Sequence, residues 1–149
     1  MMRKLNEDDL KEVNRLIRNL YNLHVRERKD IIGSDNRKYS KLDFIDLLVH
    51  KYNILLGAEE DHKLVGLCIA DIREYSKGYK LVFITNLIVD KEYQCKGIGK
   101  ALIEEAKKEG KLRGAKRLEL SVYNFNENAM GFYKKIGLTP LRTVMEVKI

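Results

Sequence analysis

Leu87-Ile88-Val89-Asp90-Lys91-Glu92-Tyr93-Gln94-Cys95-Lys96-Gly97-Ile98-Gly99-Lys100 is the stretch on which the fold turns. An apolar strand ends at Val89, a short polar loop follows, and two glycines open a helix. Glycine at such a point lets a ligand approach the backbone, because no Cβ stands in the way. The first turn of a helix carries unpaired N–H groups and the positive end of its dipole, so it favours an anion. Lys96 and Lys100 add charge of the same sense. Together these features predict a phosphate or pyrophosphate site. Tight packing of strand against helix would ask for the same glycines and stays open as the alternative. A Walker loop is excluded, since Gly-x-x-x-x-Gly-Lys-Ser/Thr is absent. A Rossmann fingerprint is excluded too, since the third glycine is missing.

Upstream of this stretch, Leu81 to Val89 is almost continuously apolar and predicts a central strand buried on both faces. Downstream, Ile98 to Arg113 predicts a helix stopped by Gly114, with Gly110 inside it at a cost of about 1 kcal/mol relative to alanine. Arg117 to Tyr123 alternates, with Leu118, Leu120 and Val122 on one face and Glu119, Ser121 and Tyr123 on the other. Asn126 then offers a cap to a helix with Ala129, Phe132, Tyr133 and Ile136 on its apolar side and Gly137 at its end. The strand–helix–strand unit predicts a right-handed parallel crossover. Leu138 to Ile149 is strand-like around the only proline, Pro140.

Toward the amino terminus, Met1 to Leu5 fits a short strand. Asn6 with Asp9 three residues later forms a capping pattern before Leu10, Val13, Leu16, Ile17 and Leu20, a helix expected to reach about His24. A polar, basic loop follows through Gly33-Ser34-Asp35-Asn36. Ser40 with Asp43 begins a second helix with Leu42, Ile45, Leu48 and Val49 as its apolar face. Asn53 to Glu59 and Leu64 to Glu74 flank a hairpin turn at 60–63. The order of elements predicts one mixed α/β domain over residues 1–149, without repeat or linker.

At the loop quoted first, the sequence resembles the GNAT superfamily of N-acetyltransferases, whose pyrophosphate loop reads Gln/Arg-x-x-Gly-x-Gly/Ala. Gln94-Cys95-Lys96-Gly97-Ile98-Gly99 matches that pattern throughout. The second half of the family pattern follows in order: Gly114 to Val122, then Asn126-Glu127-Asn128-Ala129, then Phe132-Tyr133-Lys134-Lys135-Ile136-Gly137-Leu138. The resemblance is at motif level from about Leu81 to Leu138. It implies a GNAT-like mixed, mostly antiparallel central sheet with a parallel, splayed strand pair and flanking helices.

The resemblance also implies acetyl-coenzyme A as the cofactor, lying where the strand ending at Val89 splays from the one holding Leu120. Its pyrophosphate would rest on the backbone of Gln94, Cys95, Lys96, Gly97, Ile98, Gly99 and Lys100. Backbone groups of Leu87, Ile88 and Val89 would bind the pantetheine arm and polarise the thioester carbonyl. Asn126 matches a residue that contacts the arm, and an N-cap role is compatible with that. Tyr133 matches the general acid, and a phenol of pKa about 10 is protonated at neutral pH and able to serve the departing thiolate. Many family members place a glutamate on the strand equivalent to Leu81–Val89; here it carries Phe83, Thr85 and Asn86 and no acid. Proton removal from the amine is then expected to run through water near Thr85, Asn86 or Ser121, with Glu119 the nearest acid by pattern and Asp71 a weaker candidate.

Composition narrows the remaining classes. The chain has 149 residues, 44% hydrophobic and 34% charged, which fits a foldable domain rather than a disordered chain. No run is long and apolar enough for a membrane span, and the start lacks a signal-like stretch, so a cytoplasmic protein is expected. Cys68 and Cys95 sit in unlike contexts, and His24, His50 and His62 share no ligand spacing, so no metal site is expected. A net charge of +7 raises a nucleic-acid-binding module as an alternative, but acids are interleaved with the bases. An acyl-coenzyme A sensor without catalysis is the other alternative. Arg26, Arg28, Lys29, Arg37 and Lys38 in the expected acceptor loop argue for a small-molecule or peptide amine that is neutral or carries an acid, rather than a polycation. Dimerisation through Leu138–Ile149 is a further implication of the resemblance.

Overall fold

The computed structural model describes residues 1–30 and 38–149; the expected turn at 33–36 and Arg37 lie outside them. Strand β1 (Met2–Lys4) leads through a single 3-10 turn (Glu7–Asp9) into helix α1 (Leu10–Glu27). Helix α2 (Lys41–Val49) precedes a meander of β2 (Asn53–Glu60), β3 (Lys63–Tyr75) and β4 (Tyr79–Val89). Helix α3 (Ile98–Leu112), strand β5 (Ala115–Leu120) and helix α4 (Glu127–Lys135) follow. The sheet runs β1-β2-β3-β4-β5, antiparallel except for the parallel pair β4–β5.

Local chemistry accounts for the element boundaries. Asn6 and Asp9 form the expected reciprocal capping box, and Arg3 grips both Asp9 oxygens at 2.8 Å. Ser40 caps α2 by accepting from the Asp43 N–H at 3.1 Å. Asp61 and His62 adopt left-handed backbone (φ 48° and 61°) in the two-residue β2–β3 turn, the geometry that suits the twist of a hairpin. Gly114 and Gly137, at φ 86° and 101°, terminate α3 and α4.

Two apolar layers hold the sheet. On one face α3 contributes Ile98, Leu102, Ile103 and Ala106 against Val65, Cys68, Ala70, Val82 and Ile84, with Phe132, Tyr133 and Ile136 of the α4 region packed beside them. On the other face α1 and α2 contribute Val13, Leu16, Ile17 and Phe44 against Leu55, Leu67, Ile69 and Ile88. Gly110 is explained by this packing, since a Cβ there would stand 2.1 Å from Val82 Cγ2.

Three sequence expectations need correction. The buried side of α2 is Phe44, with Leu47 and Leu48 packed nearby, while Leu42 and Val49 are exposed, because the helix docks about one residue rotated from the expected face. Strand β5 stops at Leu120 rather than Tyr123, because β4 offers it no partner beyond the Ile84–Leu120 pair. Leu138 to Ile149 forms no strand: Leu141, Val144, Met145, Val147 and Ile149 are all more than half exposed. A strand needs a neighbour for its backbone groups, and no described strand pairs with this segment.

Candidate functional site: the gap between β4 and β5

The gap originates in a bulge. Ile69 and Ala70 are consecutive on β3, yet they pair with Asn86 and Ile84, so Thr85 is the extra residue on β4. Its hydroxyl donates to the Ile69 carbonyl at 3.0 Å. A bulge bends its strand and reverses the side-chain phase beyond it. Val82 and Ile84 before the bulge therefore face the α3 layer, and so do Leu87 and Val89 after it. The parallel pairing with β5 ends at Ile84–Leu120, one residue before the bulge. Beyond that point Leu87, Ile88 and Val89 have no β5 partner, and an extended ligand could lie along them.

The loop after β4 is held from behind. Asp90 is buried, takes the Arg15 guanidinium at 2.7 Å and Lys63 at 3.3 Å, and its own N–H donates to the Val65 carbonyl at 2.7 Å. Burial works against the Asp90 charge, but the Arg15 and Lys63 contacts prevail and hold its carboxyl below the usual range. Gln94 donates from Nε2 to the Val89 carbonyl at 3.1 Å, tying loop to strand. Cys95 and Gly97 adopt left-handed backbone, φ 62° and 82°, and Gly97 is the N-cap of α3 with no side chain capping it. Left-handed residues alternating with others aim successive N–H groups into one concavity, an anion nest. Gly97 has no heavy atom within 4 Å of a hypothetical Cβ, so its left-handed φ, and not crowding, is what calls for glycine. Gly99 differs, because a Cβ there would meet Phe132 at 3.0 Å. Gln94, Cys95, Lys96 and Lys100 are exposed and able to reach a ligand, whereas the Ile98 side chain is buried in the core and offers only its backbone.

Tyr133 approaches the gap from the α4 side. Its phenol is pushed up to about 12, first by burial and then by the neighbouring Cys68. Cys68 pairs across the ladder with Leu87, and Tyr133 packs against the same apolar layer as both, on the side of the strand segment that could hold a thioester. Asn126 caps α4 by accepting from the Ala129 N–H at 3.3 Å.

The opposite face of the gap carries Asp71, Phe83 and Glu119, already weighed from the sequence, and an aromatic group that the sequence did not single out. Asp71, Phe83 and Glu119 share one row across β3, β4 and β5, on the α1 face, and the Arg73 guanidinium lies 3.8 Å from the Phe83 ring centroid. Asp71 is bonded to Arg73 at 2.7 Å, while Glu119 stands half-buried one residue before the strands part. Tyr123 and Phe125 stack in the loop after β5, and His24 meets both edge-on. Two aromatics in an otherwise polar connection, Tyr123-Asn124-Phe125, were the available signal. In the loop expected to face the acceptor, Arg28 is held by Asp30 and Glu146, and Arg26 lies 3.5 Å from Glu27, so much of the described positive charge there is already answered. Among the described residues no cluster of His, Cys, Asp or Glu could hold a metal, and no helix is long and apolar enough to cross a membrane.

Known proteins resemble this chain in sequence or in fold. A protein of Bacillus subtilis (strain 168), provisionally named a ribosomal protein bS18-alanine N-acetyltransferase, is 33% identical over 99 residues, 64% of this chain and 60% of that one. The chain thus matches somewhat less than two thirds of that relative's length. A crystal structure of a mutant of the BH1408 protein from Bacillus halodurans superimposes with TM-score 0.94 at 26% identity, covering 100% of this chain and 99% of the other. An aminoglycoside N-acetyltransferase solved in complex with coenzyme A shares the fold, with TM-score 0.77 at 18% identity over 100% of this chain and 98% of that one. The family model for the acetyltransferase (GNAT) family matches residues 17–138, and the chain belongs to that family.

Proposed function

We infer that the protein is an N-acetyltransferase that moves the acetyl group of acetyl-coenzyme A directly onto a primary amine. The observation that carries this reading is the coincidence, at one gap, of an uncapped helix start with left-handed Cys95 and Gly97, an unpaired strand edge at Leu87 to Val89, and the Tyr133 phenol. The residues suit the cofactor: Gln94 to Lys100 would take its pyrophosphate, Leu87 to Val89 and Asn126 its arm, and bound acetyl-coenzyme A would supply the thioester.

The chain's own groups then divide the work. Backbone N–H groups of the free β4 edge hold the acyl carbonyl and favour charge on its oxygen. The amine approaches from the α1 face, a C–N bond forms, the C–S bond breaks, and one proton leaves the nitrogen. Half-buried Glu119 lies on that approach, and water between it and the amine carries the proton away. Tyr133 serves as general acid. Held near 12, it keeps its proton at working pH and donates it toward the sulfur as negative charge builds there.

The exposed tail suggests a second element of the working protein. Met145, Val147 and Ile149 alternate with Glu146 and Lys148 and lie open to solvent, while β5 is an edge strand. Pairing between two copies through Leu138–Ile149 would bury both, and the functional form is then a homodimer. Sedimentation of the full chain and of a chain ending at Thr139 tests this: a dimer that becomes a monomer supports it, and a monomeric full chain rejects it.

Calorimetric titration with acetyl-coenzyme A, on the wild type and on Gly97→Asp, tests the central reading. Aspartate tolerates left-handed backbone, so the variant should fold while setting a negative charge in the nest. Binding by the wild type and loss in the folded variant support the site. Binding without release of free thiol in the presence of any amine would leave a sensor, and no binding by the folded wild type would remove the acetyltransferase reading.

A further inference from the structure

Helix α1 lies across the mouth of the gap. Near its start Arg15 binds Asp90, just past the end of β4. Nine residues later, about 14 Å along the helix axis, His24 binds the loop just past the end of β5. The phenol of Tyr133 comes from the opposite, α3–α4 side of the sheet, so the α1 face is the side left for the amine. What stands at that side is an aromatic group. Tyr123 and Phe125 stack with centroids 5.0 Å apart and planes 11° apart, and the His24 ring meets them edge-on at 5.5 and 5.8 Å.

Neither of the two apolar layers includes these three rings. Tyr123 is 41% exposed although it sits against two other aromatics. A stacked pair that does not fill the interior, yet keeps a ring open to solvent at the mouth of a reaction gap, offers a flat π surface to whatever enters.

We propose that His24, Tyr123 and Phe125 form the acceptor platform, and that the acceptor is an amine bearing an aromatic or flat apolar group close to its nitrogen, such as an arylalkylamine or a peptide whose first residue is apolar. The acceptor's ring lies on Tyr123 and Phe125 while its nitrogen points into the gap toward Leu87. Burial lowers the His24 pKa, so the imidazole stays neutral at neutral pH and adds surface rather than charge. The cations nearest this end, Arg26 and Arg28, are already matched by Glu27, Asp30 and Glu146 and do not define the acceptor.

This proposal rests on the acetyltransferase reading, and the test separates the two. Proton NMR of the coenzyme A-bound protein is followed while 2-phenylethylamine, propylamine or spermidine is added, and thiol release from acetyl-coenzyme A is measured with the same three amines. Phenylethylamine should shift the ring signals of Tyr123, Phe125 and His24 where propylamine and spermidine do not, whether or not turnover occurs. Where thiol is released, kcat/KM should favour phenylethylamine over propylamine, and Tyr123→Ala should cut that preference about tenfold, the worth of one aromatic contact. Phe125→Leu, which keeps bulk but removes the stack, should cut it in the same sense. Equal ring shifts with all three amines, or a preference unchanged in both folded variants, would overturn the platform. Absence of thiol release with every amine would instead count against the acetyltransferase reading.

Discussion

Arg15 on α1 and Asp90 at the end of β4 are 75 residues apart in sequence and meet at 2.7 Å, with Asp90 also holding Lys63. The pair braces the loop that follows β4 and neutralises a carboxylate that would repel a pyrophosphate bound there, as proposed above. Arg15→Ala should cost about 1.5–3 kcal/mol of stability, the range for a hydrogen bond to a charged partner, and weaken acetyl-coenzyme A binding as well. Urea unfolding and calorimetry on one preparation measure both. An unchanged affinity would mean that the brace serves the fold alone. Because the folded Asp90 carboxyl lies below its ordinary value, its contribution is present above the unfolded pKa and is lost as pH falls through the folded one.

Tyr133→Phe removes one oxygen from a largely buried ring and keeps its packing beside Phe132. Turnover should fall by about 10²–10⁴, with the melting temperature and the affinity for acetyl-coenzyme A nearly unchanged. Equal losses in affinity and turnover would assign Tyr133 to binding.

A buried thiol and a partly buried phenol make the fold sensitive to alkali. Burial pushes the Cys68 thiol up to about 12 from 9.0, and Tyr133 up to about 12 from 10.0. The folded state keeps these protons where the unfolded chain has released them, so stability is complete below pH 9 and declines as pH rises toward 12. Urea midpoints from pH 7 to 11 should fall from about pH 9 onward, and Cys68→Ala should delay the onset by about one pH unit.

Gly110→Ala sets two effects against each other. Helix propensity favours alanine by about 1 kcal/mol. The new Cβ would stand 2.1 Å from Val82 Cγ2, and Val82 is buried and short, with no room to swing away. Overpacking of this kind costs about 1–3 kcal/mol, so net destabilisation is expected in urea. A stabilised variant would show that β4 can yield.

Glu119→Gln tests the route of the amine proton. Loss of the carboxylate should lower kcat/KM most at neutral pH, where the amine is protonated, and the defect should shrink as pH rises toward the amine's own pKa. A defect that is constant with pH would give Glu119 a structural role.

The sequence by itself determined the elements that depend on neighbours a few residues away. The Asn6–Asp9 box, the Ser40 and Asn126 caps, the left-handed turn at Asp61-His62 and the glycine stops at Gly114 and Gly137 are all closed by short-range hydrogen bonds or by φ alone. The family motif was legible for the same reason, since Gln94 to Gly99 is one continuous segment. Only the tertiary structure decided what depends on which strand lies opposite which. The Thr85 bulge exists only in register with Ile69 and Ala70, and it turns Leu87 to the side of Tyr133. The rotation of α2 onto Phe44, the end of β5 at Leu120 and the joining of His24 to Tyr123 and Phe125 likewise follow from packing between distant segments. Periodicity along a chain specifies a face, but the partner that buries or opens that face is set by long-range contacts, and the α1 face of the gap is built from such contacts.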